Sequence, residues 1–235
     1  MASLGIIGTG SFGRFMAEKL EPYFDVKLAG RKSSSAEYAE AASSDYVVLS
    51  IPYQAYAETL PALSKHFTEK TVVVDVCSVK TLPEKLLAER CPQQSKLMLH
   101  PLFGPQSAAD SLEGHTMILC PQPDNEDLEA RARQFFEKLG LKVQEMTAEE
   151  HDKLMAEVHG LTFFVARALE QYGIKPRAIS TPSYERLVDL AELEMHHSPE
   201  LFATIQLANP YASEVREHFM RIIEKLDRSL EQEES

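Results

Sequence analysis

Two groups of residues have the types and the spacing that chemistry requires. The first is the segment 8–13, which reads Gly-Thr-Gly-Ser-Phe-Gly and matches the pattern GxGxxG. The second consists of Ser78 and His100, each of which follows a short apolar run. A glycine-rich turn before a helix can hold phosphate on backbone N–H groups. A histidine can accept a proton from a substrate hydroxyl. The sequence therefore offers one candidate for binding and one for catalysis.

The context of the glycine-rich segment favours a dinucleotide site. An apolar run at residues 4–7 precedes it, helical periodicity follows it, and another β-branched run begins near Val26. In such a unit the first glycine permits a tight turn, the second admits the pyrophosphate, and the third lets the helix pack close to the sheet. The alternative is a glycine-rich turn that binds no ligand. We expect six residues to contact the cofactor, namely Gly8, Thr9, Gly10, Ser11, Phe12 and Gly13.

The residues after the second apolar run indicate which dinucleotide is bound. Sites that prefer NAD carry Asp or Glu there, about 20 residues beyond the glycines, for the ribose hydroxyls. This sequence has no carboxylate at residues 30–34, which read Gly-Arg-Lys-Ser-Ser. Arg31 can pair with a 2′-phosphate through its planar guanidinium, while Lys32 adds charge and Ser33 adds a hydroxyl. The segment predicts NADP, and the alternative is a solvated loop without a ligand.

Further candidate residues follow other apolar runs that read as strands. An open parallel sheet places reactive groups beyond the carboxyl ends of its strands. We therefore expect Ser78 and His100 to face the nicotinamide. His100 can accept a hydroxyl proton while hydride leaves the same carbon, and Ser78 can orient the imidazole or the substrate. Ser50 and Pro52 are expected to line the cofactor groove, although a plain strand-to-helix turn explains them equally well.

The elements that must position these residues alternate along the first part of the chain. β-Branched runs predict strands at residues 4–7, 26–29, 46–50, 71–76, 96–99, 116–120 and 140–144. Helical periodicity predicts helices at residues 12–20, 36–42, 55–66, 82–89 and 126–139. Strands that alternate with helices are typical of βαβ units. The pattern predicts an α/β fold with a Rossmann-type doubly wound parallel sheet.

From Thr147 onward the pattern is helical. Thr147 and Glu150 have capping-box spacing and open a long helix that ends near Gly173. Further helices are predicted at residues 183–194, 199–208 and 211–230. The chain is thus expected to contain a dinucleotide-binding domain at 1–146 and a small all-helical domain at 147–235. So small a helical unit exposes much apolar surface, which predicts packing on the first domain or on a second copy.

Composition excludes several classes of function. The 235 residues carry a formal net charge of −12, which argues against broad electrostatic capture of nucleic acid or an anionic membrane. Three widely spaced cysteines show neither a disulfide framework nor the spacing of a metal site. No apolar run reaches the length of about 20 residues that spans a bilayer. We expect a soluble cytoplasmic protein that binds a small-molecule substrate, without a metal.

Longer motifs connect these features. They are DVCSVK at 75–80, HPLFGP at 100–105, EEHDK at 149–153, SPELF at 198–202 and the pair Asn209-Pro210. With the glycine segment, they make nearly the whole chain similar to the prephenate and arogenate dehydrogenases of tyrosine biosynthesis, and most similar to the plant-type arogenate enzymes. The resemblance implies NADP-dependent oxidative decarboxylation of prephenate or arogenate. It also implies that His100 is the catalytic group and that Ser78 assists it. From the apolar surface of the helical domain we further expect a homodimer through that domain.

One element of the family pattern is missing. Several bacterial members carry an Arg in the helical domain that binds the ring carboxylate, and Leu193 stands at that position here. Arg186 is a candidate substitute, although a solvated helix charge is the better interpretation. His159, together with Gln106 and Ser107, is a further candidate for the substrate carboxylates. The alternative for His159 is a satisfied histidine between the domains.

The pair His151 and Asp152 opens the long helix and invites comparison with a catalytic triad. Helix capping and an interdomain contact are the favoured interpretation, because no activated Ser or Cys accompanies the pair. Two rival functions follow from what the sequence lacks. Without the substrate Arg, the chain could be an NADP-dependent reductase of another small carbonyl or imine compound. The other rival is a non-catalytic NADP-sensing protein, against which the presence of Ser78 and His100 argues.

Overall fold

The computed structural model describes residues 1–195 and 197–233, except the side chains of residues 193, 194 and 233. The chain divides into two compact units, Met1–His151 and Asp152–Ser235. This boundary lies inside the helix that begins at Ala148, a few residues beyond the boundary drawn from the sequence. The hydrophobic pattern changes where that helix starts, so the pattern alone cannot locate a boundary within the helix.

A seven-stranded sheet forms the centre of the first unit. Its strands are β1 (Ser3–Ile7), β2 (Asp25–Ala29), β3 (Tyr46–Leu49), β4 (Val72–Asp75), β5 (Ser95–Pro101), β6 (Thr116–Cys120) and β7 (Lys142–Glu145). Their order across the sheet is β2-β1-β3-β4-β5-β6-β7. Each predicted strand is present, with ends within two residues of the prediction. The predicted α/β fold with a Rossmann-type sheet is confirmed.

One neighbouring pair departs from the parallel arrangement. β5 and β6 run antiparallel, whereas the other neighbouring strands are parallel. A parallel connection needs a crossover, usually through a helix. Residues 102–115, which join β5 to β6 and are described throughout, contain no helix. The chain therefore returns along β5 directly, and its connecting loop lies just after His100.

Six helices belong to the first unit or begin in it. They are α1 (Ser11–Leu20), α2 (Ser35–Ala42), α3 (Tyr56–Leu63), α4 (Thr81–Arg90), α5 (Glu126–Lys138) and α6 (Ala148–Met155). The single helix predicted at 55–66 is instead α3 with a 3-10 turn at each end, at Tyr53–Ala55 and Ser64–His66. Pro61 lies inside α3 and supplies no N–H for a helical hydrogen bond.

The core of the first unit holds the strands in place. Alternate residues of β1, Leu4 and Ile6, point to one face of the sheet, where they pack with Phe15 and Met16 of α1 and with Leu128 of α5. These side chains are almost completely buried. Close packing on this face fixes the sheet, so the loops at the carboxyl ends of its strands start from a rigid platform.

The second unit is helical, as predicted. Beyond the end of α6 it contains a π-helical segment Ala156–Leu161, α7 (Thr162–Tyr172), α8 (Pro182–Met195), α9 (Pro199–Ala203), a second π-helical segment Thr204–Ala208, and α10 (Ala212–Glu233). The Gln206 amide donates to the Gly160 carbonyl oxygen at 2.6 Å, and the Asn209 amide donates to the Asp152 carbonyl oxygen at 2.8 Å. These buried bonds connect the irregular segments. None of the described helices combines the length and apolar character needed to cross a bilayer.

Candidate active site

The glycine loop lies between β1 and α1, and packing explains two of its glycines. Gly8 has φ 132°, and a Cβ there would lie 1.9 Å from the Ser50 carbonyl oxygen. A Cβ on Gly13 would lie 1.9 Å from the Gly8 carbonyl oxygen. Gly10 differs, because no heavy atom lies within 4 Å of the position its Cβ would take. The loop is therefore tightly packed behind and open at Gly10, where a phosphate can reach the backbone.

The first turn of α1 supplies the polar groups of this loop. α1 begins at Ser11, and the first N–H groups of a helix have no intrahelical acceptor and favour an anion. The side chain of Phe12 packs against the core, so only the backbone N–H of this residue is available to bind a phosphate. Arg14, which is not among the residues predicted above, also contacts this loop: its Nε donates to the Thr9 carbonyl oxygen at 3.0 Å. A basic residue directly after the last glycine was the available signal.

The predicted 2′-phosphate site follows β2. The Ser33 N–H donates to the Gly30 carbonyl oxygen at 2.9 Å, and the Gly30 N–H donates to Ser33 Oγ at 3.2 Å. These bonds close a tight turn that leaves Arg31 and Lys32 exposed. A Cβ on Gly30 would come within 2.7 Å of Thr9 Oγ1, so this turn lies against the glycine loop. Two cations thus lie beside the loop, with no carboxylate in the turn.

Ser50 and Pro52 follow β3. The Ser50 N–H donates to the Ile7 carbonyl oxygen at 2.8 Å, and the Ser50 carbonyl abuts Gly8. Ser50 therefore supports the glycine loop from behind with its backbone. Pro52 is exposed and accepts a hydrogen bond from Ala55 at the start of a 3-10 turn. Its described contacts are those of a strand-to-helix turn.

A buried polar network fixes the loop that carries Ser78. Lys80 Nζ forms an ion pair with Asp75 Oδ2, and both side chains are fully buried. The Tyr56 hydroxyl donates to Asp75 Oδ1 at 2.6 Å, and the Cys77 N–H donates to the same atom at 3.3 Å. Burial raises the pKa of Tyr56 well above its ordinary value, and the Asp75 charge raises it further. Tyr56 therefore remains a donor, and the half-buried Ser78 is held on a rigid loop.

This network explains why Asp and Lys stand at the two ends of the motif DVCSVK, a role that the sequence alone does not indicate. Asp75 ends β4 and Lys80 precedes α4, so their ion pair clamps the loop between the two elements. Removing one partner of a buried ion pair leaves an uncompensated charge, which costs about 3–5 kcal/mol. The motif is thus a structural clamp with one half-buried hydroxyl, that of Ser78, at its centre.

His100 lies near the end of β5 and is 3% exposed. β4 and β5 are parallel neighbours, with Asp75 paired to Met98, so the Ser78 loop and His100 lie at the same edge of the sheet. His100 Nδ1 lies 2.8 Å from Nε2 of His151, which is fully buried at the start of α6. The two rings meet edge to face at an interplanar angle of 72°. The site therefore contains a pair of histidines.

Thr147 and Glu150 form the N-terminal cap of α6. The Thr147 N–H donates to Glu150 Oε2 at 2.9 Å, and the Glu150 N–H donates to Thr147 Oγ1 at 3.2 Å, which completes the predicted capping box. Thr147 and Glu150 thus form this cap, and an interdomain contact of His151 and Asp152 stays a prediction. The His151 ring contacts His100 across 51 residues of sequence. The sequence signal for this contact was limited to the presence of one histidine in HPLFGP and one in EEHDK.

Two candidate substrate residues lie in the loop after β5. Gln106 is exposed. Ser107 is also exposed, and its Oγ accepts a hydrogen bond from the Gly104 N–H at 3.0 Å. The Ser107 hydroxyl therefore closes the turn of the HPLFGP segment. Substrate contacts by Gln106 and Ser107 stay predictions.

The other candidate substrate residues belong to the second unit. His159 lies in the first π-helical segment, where its ring packs edge-on against Phe163 with centroids 4.7 Å apart. Arg186 is exposed on α8. The side chain of Leu193 lies outside the described part of the chain. The roles of His159 and Arg186 stay predictions.

The three cysteines are buried and are not joined by disulfide bonds. Burial raises the pKa of the Cys91 thiol, while the nearby Lys96 lowers it by a smaller amount. Cys91 is therefore a neutral thiol at physiological pH. Among the described residues, no three His, Cys, Asp or Glu side chains cluster as metal ligands would.

Two protein-family models match the chain. The model of the prephenate dehydrogenase nucleotide-binding domain matches residues 25–145, which is just over half of the chain. This match begins at β2 and so does not include the glycine loop. The model of the TYRAAT1-like C-terminal domain matches residues 168–235. The two matched segments lie in different units of the structure.

Individual relatives extend this similarity over the whole chain. Arogenate dehydrogenase 2, chloroplastic, of Arabidopsis thaliana is 28% identical over 97% of this chain and 69% of its own length. A probable arogenate/prephenate dehydrogenase of Methanocaldococcus jannaschii is 26% identical over 91% of this chain, which spans only 53% of that relative. A crystal structure of prephenate dehydrogenase from A. aeolicus, in complex with hydroxyphenyl propionate and NAD+, is similar to this chain with a TM-score of 0.71 and 24% identity. The match covers 99% of this chain and 92% of that chain, and it shows the fold. The chain belongs to the prephenate dehydrogenase family.

Proposed function

We propose that the protein is an NADP-dependent dehydrogenase that decarboxylates arogenate to tyrosine or prephenate to 4-hydroxyphenylpyruvate. The observation that carries this proposal is the position of His100. It is a buried histidine at the carboxyl edge of a parallel sheet, the same edge at which the glycine loop and the Ser78 loop begin. A dinucleotide on the first loop would present its nicotinamide at this edge. Family membership and the names of the curated relatives support the same activity.

The residues of the chain have simple tasks in this reaction. His100 accepts the proton of the C4 hydroxyl, and Ser78 orients that hydroxyl or the imidazole. Bound NADP+ supplies the hydride acceptor for the C4 hydrogen. The C–C bond to the ring carboxylate breaks, CO2 leaves, and its electron pair enters the ring to form a phenolate. His100 returns its proton to that oxygen, so protons and electrons balance. The protein mainly aligns the reactants and excludes water.

The turn after β2 supports the choice of NADP. Arg31 and Lys32 are exposed cations beside the glycine loop, and the turn contains no carboxylate that would repel a 2′-phosphate. The hydroxyl of Ser33 lies in the same turn. A guanidinium can hold a phosphate with two parallel hydrogen bonds. The net charge of −12 gives the protein no general attraction for anions, so a bound phosphate depends on a few cations close to it.

Assembly through α10 is part of the proposal. Phe219, Ile223, Leu226 and Leu230 follow one another at intervals of four, three and four residues, the spacing of a coiled-coil seam. Ile223, Leu226 and Leu230 are 43%, 56% and 56% exposed, although large aliphatic side chains favour burial. A second copy of the chain would present the same stripe and cover them in a homodimer.

The proposed setting is a reducing compartment such as the cytoplasm. Three buried thiols without disulfides suit such a compartment. Apart from a second copy, the proposed partners are small molecules. The acidic net charge disfavours nucleic acid and anionic membranes as partners.

The deciding experiment is an absorbance assay for reduced nicotinamide. Purified protein receives NADP+ or NAD+ together with arogenate, prephenate or no substrate. We expect reduction of NADP+ with at least one substrate and none without substrate. Silence with both substrates across a range of pH would remove the dehydrogenase assignment.

The same preparation distinguishes the two rivals. Oxidation of NADPH by small cyclic imines or ketones, without turnover of arogenate or prephenate, would indicate a reductase. NADP binding in calorimetry without any turnover would indicate a sensing protein. The reductase remains a second candidate because Leu193 stands where the family resemblance leads us to expect a substrate-binding Arg.

A further inference from the structure

The contact between His100 and His151 has the geometry of a strong hydrogen bond between two rings. Their Nδ1 and Nε2 atoms lie 2.8 Å apart, and the two residues are 3% and 0% exposed. Both residues are held by their elements: β5 is hydrogen-bonded on both sides, and α6 has a complete capping box. The contact is therefore fixed before any ligand binds.

Such a contact decides which nitrogen of His100 carries a proton. An N–H···N hydrogen bond needs one protonated nitrogen and one lone pair. If Nδ1 of His100 donates, its Nε2 has a lone pair and can take a proton. If Nε2 of His151 donates instead, the neutral His100 carries its proton on Nε2 and cannot act there as a base. Only the first arrangement allows His100 to accept a hydroxyl proton at Nε2.

We propose that His151 is a positioning residue that keeps the proton of neutral His100 on Nδ1 by accepting its hydrogen bond. This inference deepens the proposed function and depends on it for the role of His100. His151 acts through His100 and not on the substrate. Once Nε2 has taken a proton, the imidazolium still donates from Nδ1 to His151, so the same contact stabilises both states of the base.

The acceptor is a neutral ring, which sets the expected size of its effect. In the Ser-His-Asp triad a wrong histidine tautomer lowers turnover by about 10,000-fold. A neutral acceptor adds no full negative charge, so its effect on imidazolium is smaller than that of a carboxylate. The effect on the tautomer should persist, because an imidazole held between a donor and an acceptor has only one neutral arrangement that satisfies both.

Two substitutions separate this role from simple packing. His151→Phe keeps a ring of similar size but removes the acceptor. We expect kcat to fall about 100-fold or more, while KM and the affinity for NADP change little. His151→Gln restores an acceptor, because its amide oxygen reaches close to the position of Nε2. We expect it to recover activity to within about tenfold of the wild-type protein.

A nuclear magnetic resonance experiment tests the inference without any substrate. In protein labelled with 15N-histidine, long-range 1H–15N spectra distinguish the two tautomers, and His100→Asn identifies the His100 signals. We expect His100 to carry its proton on Nδ1 both in the wild-type protein and in the His151→Gln variant. His151→Phe should shift His100 to the Nε2–H form or to a mixture. Thermal unfolding of each variant shows whether it is folded.

The outcomes separate failure of this inference from failure of the proposed function. Wild-type His100 in the Nε2–H form would overturn the inference, whatever the protein's activity. Equal losses of kcat in folded His151→Phe and His151→Gln would overturn it as well, because they would indicate packing alone. If the tautomer result holds but neither arogenate nor prephenate is turned over, the proposed substrate fails and the positioning role of His151 stands.

Discussion

The two units differ in how much apolar surface they leave uncovered. In the described part of the chain, three large apolar side chains are exposed in the first unit, namely Met1, Tyr23 and Leu102. Twelve are exposed in the shorter second unit, five of them on α10. The first unit buries most of its apolar side chains in its own core, and the histidine pair of its candidate site is buried as well. The second unit has the surface expected of a partner in assembly.

The difference suggests a division of labour. Substitutions of His100 and Arg31 in the first unit should alter chemistry and cofactor binding while the fold persists, because neither residue belongs to its hydrophobic core. Changes on the outer face of α10 should alter association. Each of the following substitutions changes one of these properties and leaves the other as a measured control.

The largest expected effect follows from removing the proposed base in the first unit. His100→Ala should lower kcat about 100- to 10,000-fold, because the substitution removes the imidazole that is proposed to accept the hydroxyl proton. The dissociation constant for NADP should change little, since the glycine loop and the turn after β2 do not involve His100. Initial rates and fluorescence titration with NADPH measure the two quantities.

A control variant and a second variant at His100 separate the loss of catalysis from a loss of folding. His66 is an exposed histidine at the end of a 3-10 turn, and His66→Ala should leave kcat unchanged. Because His100 is buried, the polar variant His100→Gln is tested alongside by circular dichroism and thermal unfolding. A folded His100→Ala protein with kcat within threefold of the His66→Ala control would contradict the role of His100.

Local features of the site were predictable from the sequence. The glycine loop depends on backbone geometry within six residues, so its pattern and the flanking apolar runs were sufficient. The capping box at Thr147 and the helix end at Gly173 are equally local, and both are present. Strand periodicity located all seven strands within two residues of their ends.

Features that depend on contacts between distant residues were not predictable. The contact of His100 with His151 spans 51 residues, and the Tyr56–Asp75 bond joins two elements across 19 residues. No periodicity encodes either of them. The antiparallel direction of β6 was also not predictable, because an apolar run carries no information about the direction of a strand within the sheet. The sequence thus named His100 as a candidate, while its contact with His151 depends on tertiary packing.

The second prediction concerns assembly through α10. Leu226→Lys should weaken a homodimer about 100-fold or more, because a symmetric interface loses a buried leucine in each copy, at about 1.5–3 kcal/mol each. Sedimentation equilibrium over a range of concentrations measures the dissociation constant. Gln232→Lys adds the same charge on the opposite side of the helix and should have little effect. A wild-type chain that stays monomeric at all concentrations would remove the assembly proposal.

The smallest effect concerns cofactor choice and returns to the first unit. Arg31→Ala should weaken NADP binding about 10- to 100-fold, since a charged hydrogen bond contributes about 1.5–3 kcal/mol. NAD lacks the 2′-phosphate, so its affinity should change little. Arg90→Ala removes an exposed arginine on α4, paired in the structure with the adjacent Glu89, and should affect neither cofactor. Calorimetric titrations of both cofactors give the ratio directly. Equal affinities of the wild-type protein for NAD and NADP would show that the turn after β2 is a solvated loop, and the first unit would then hold its dinucleotide through the glycine loop without selecting between the two.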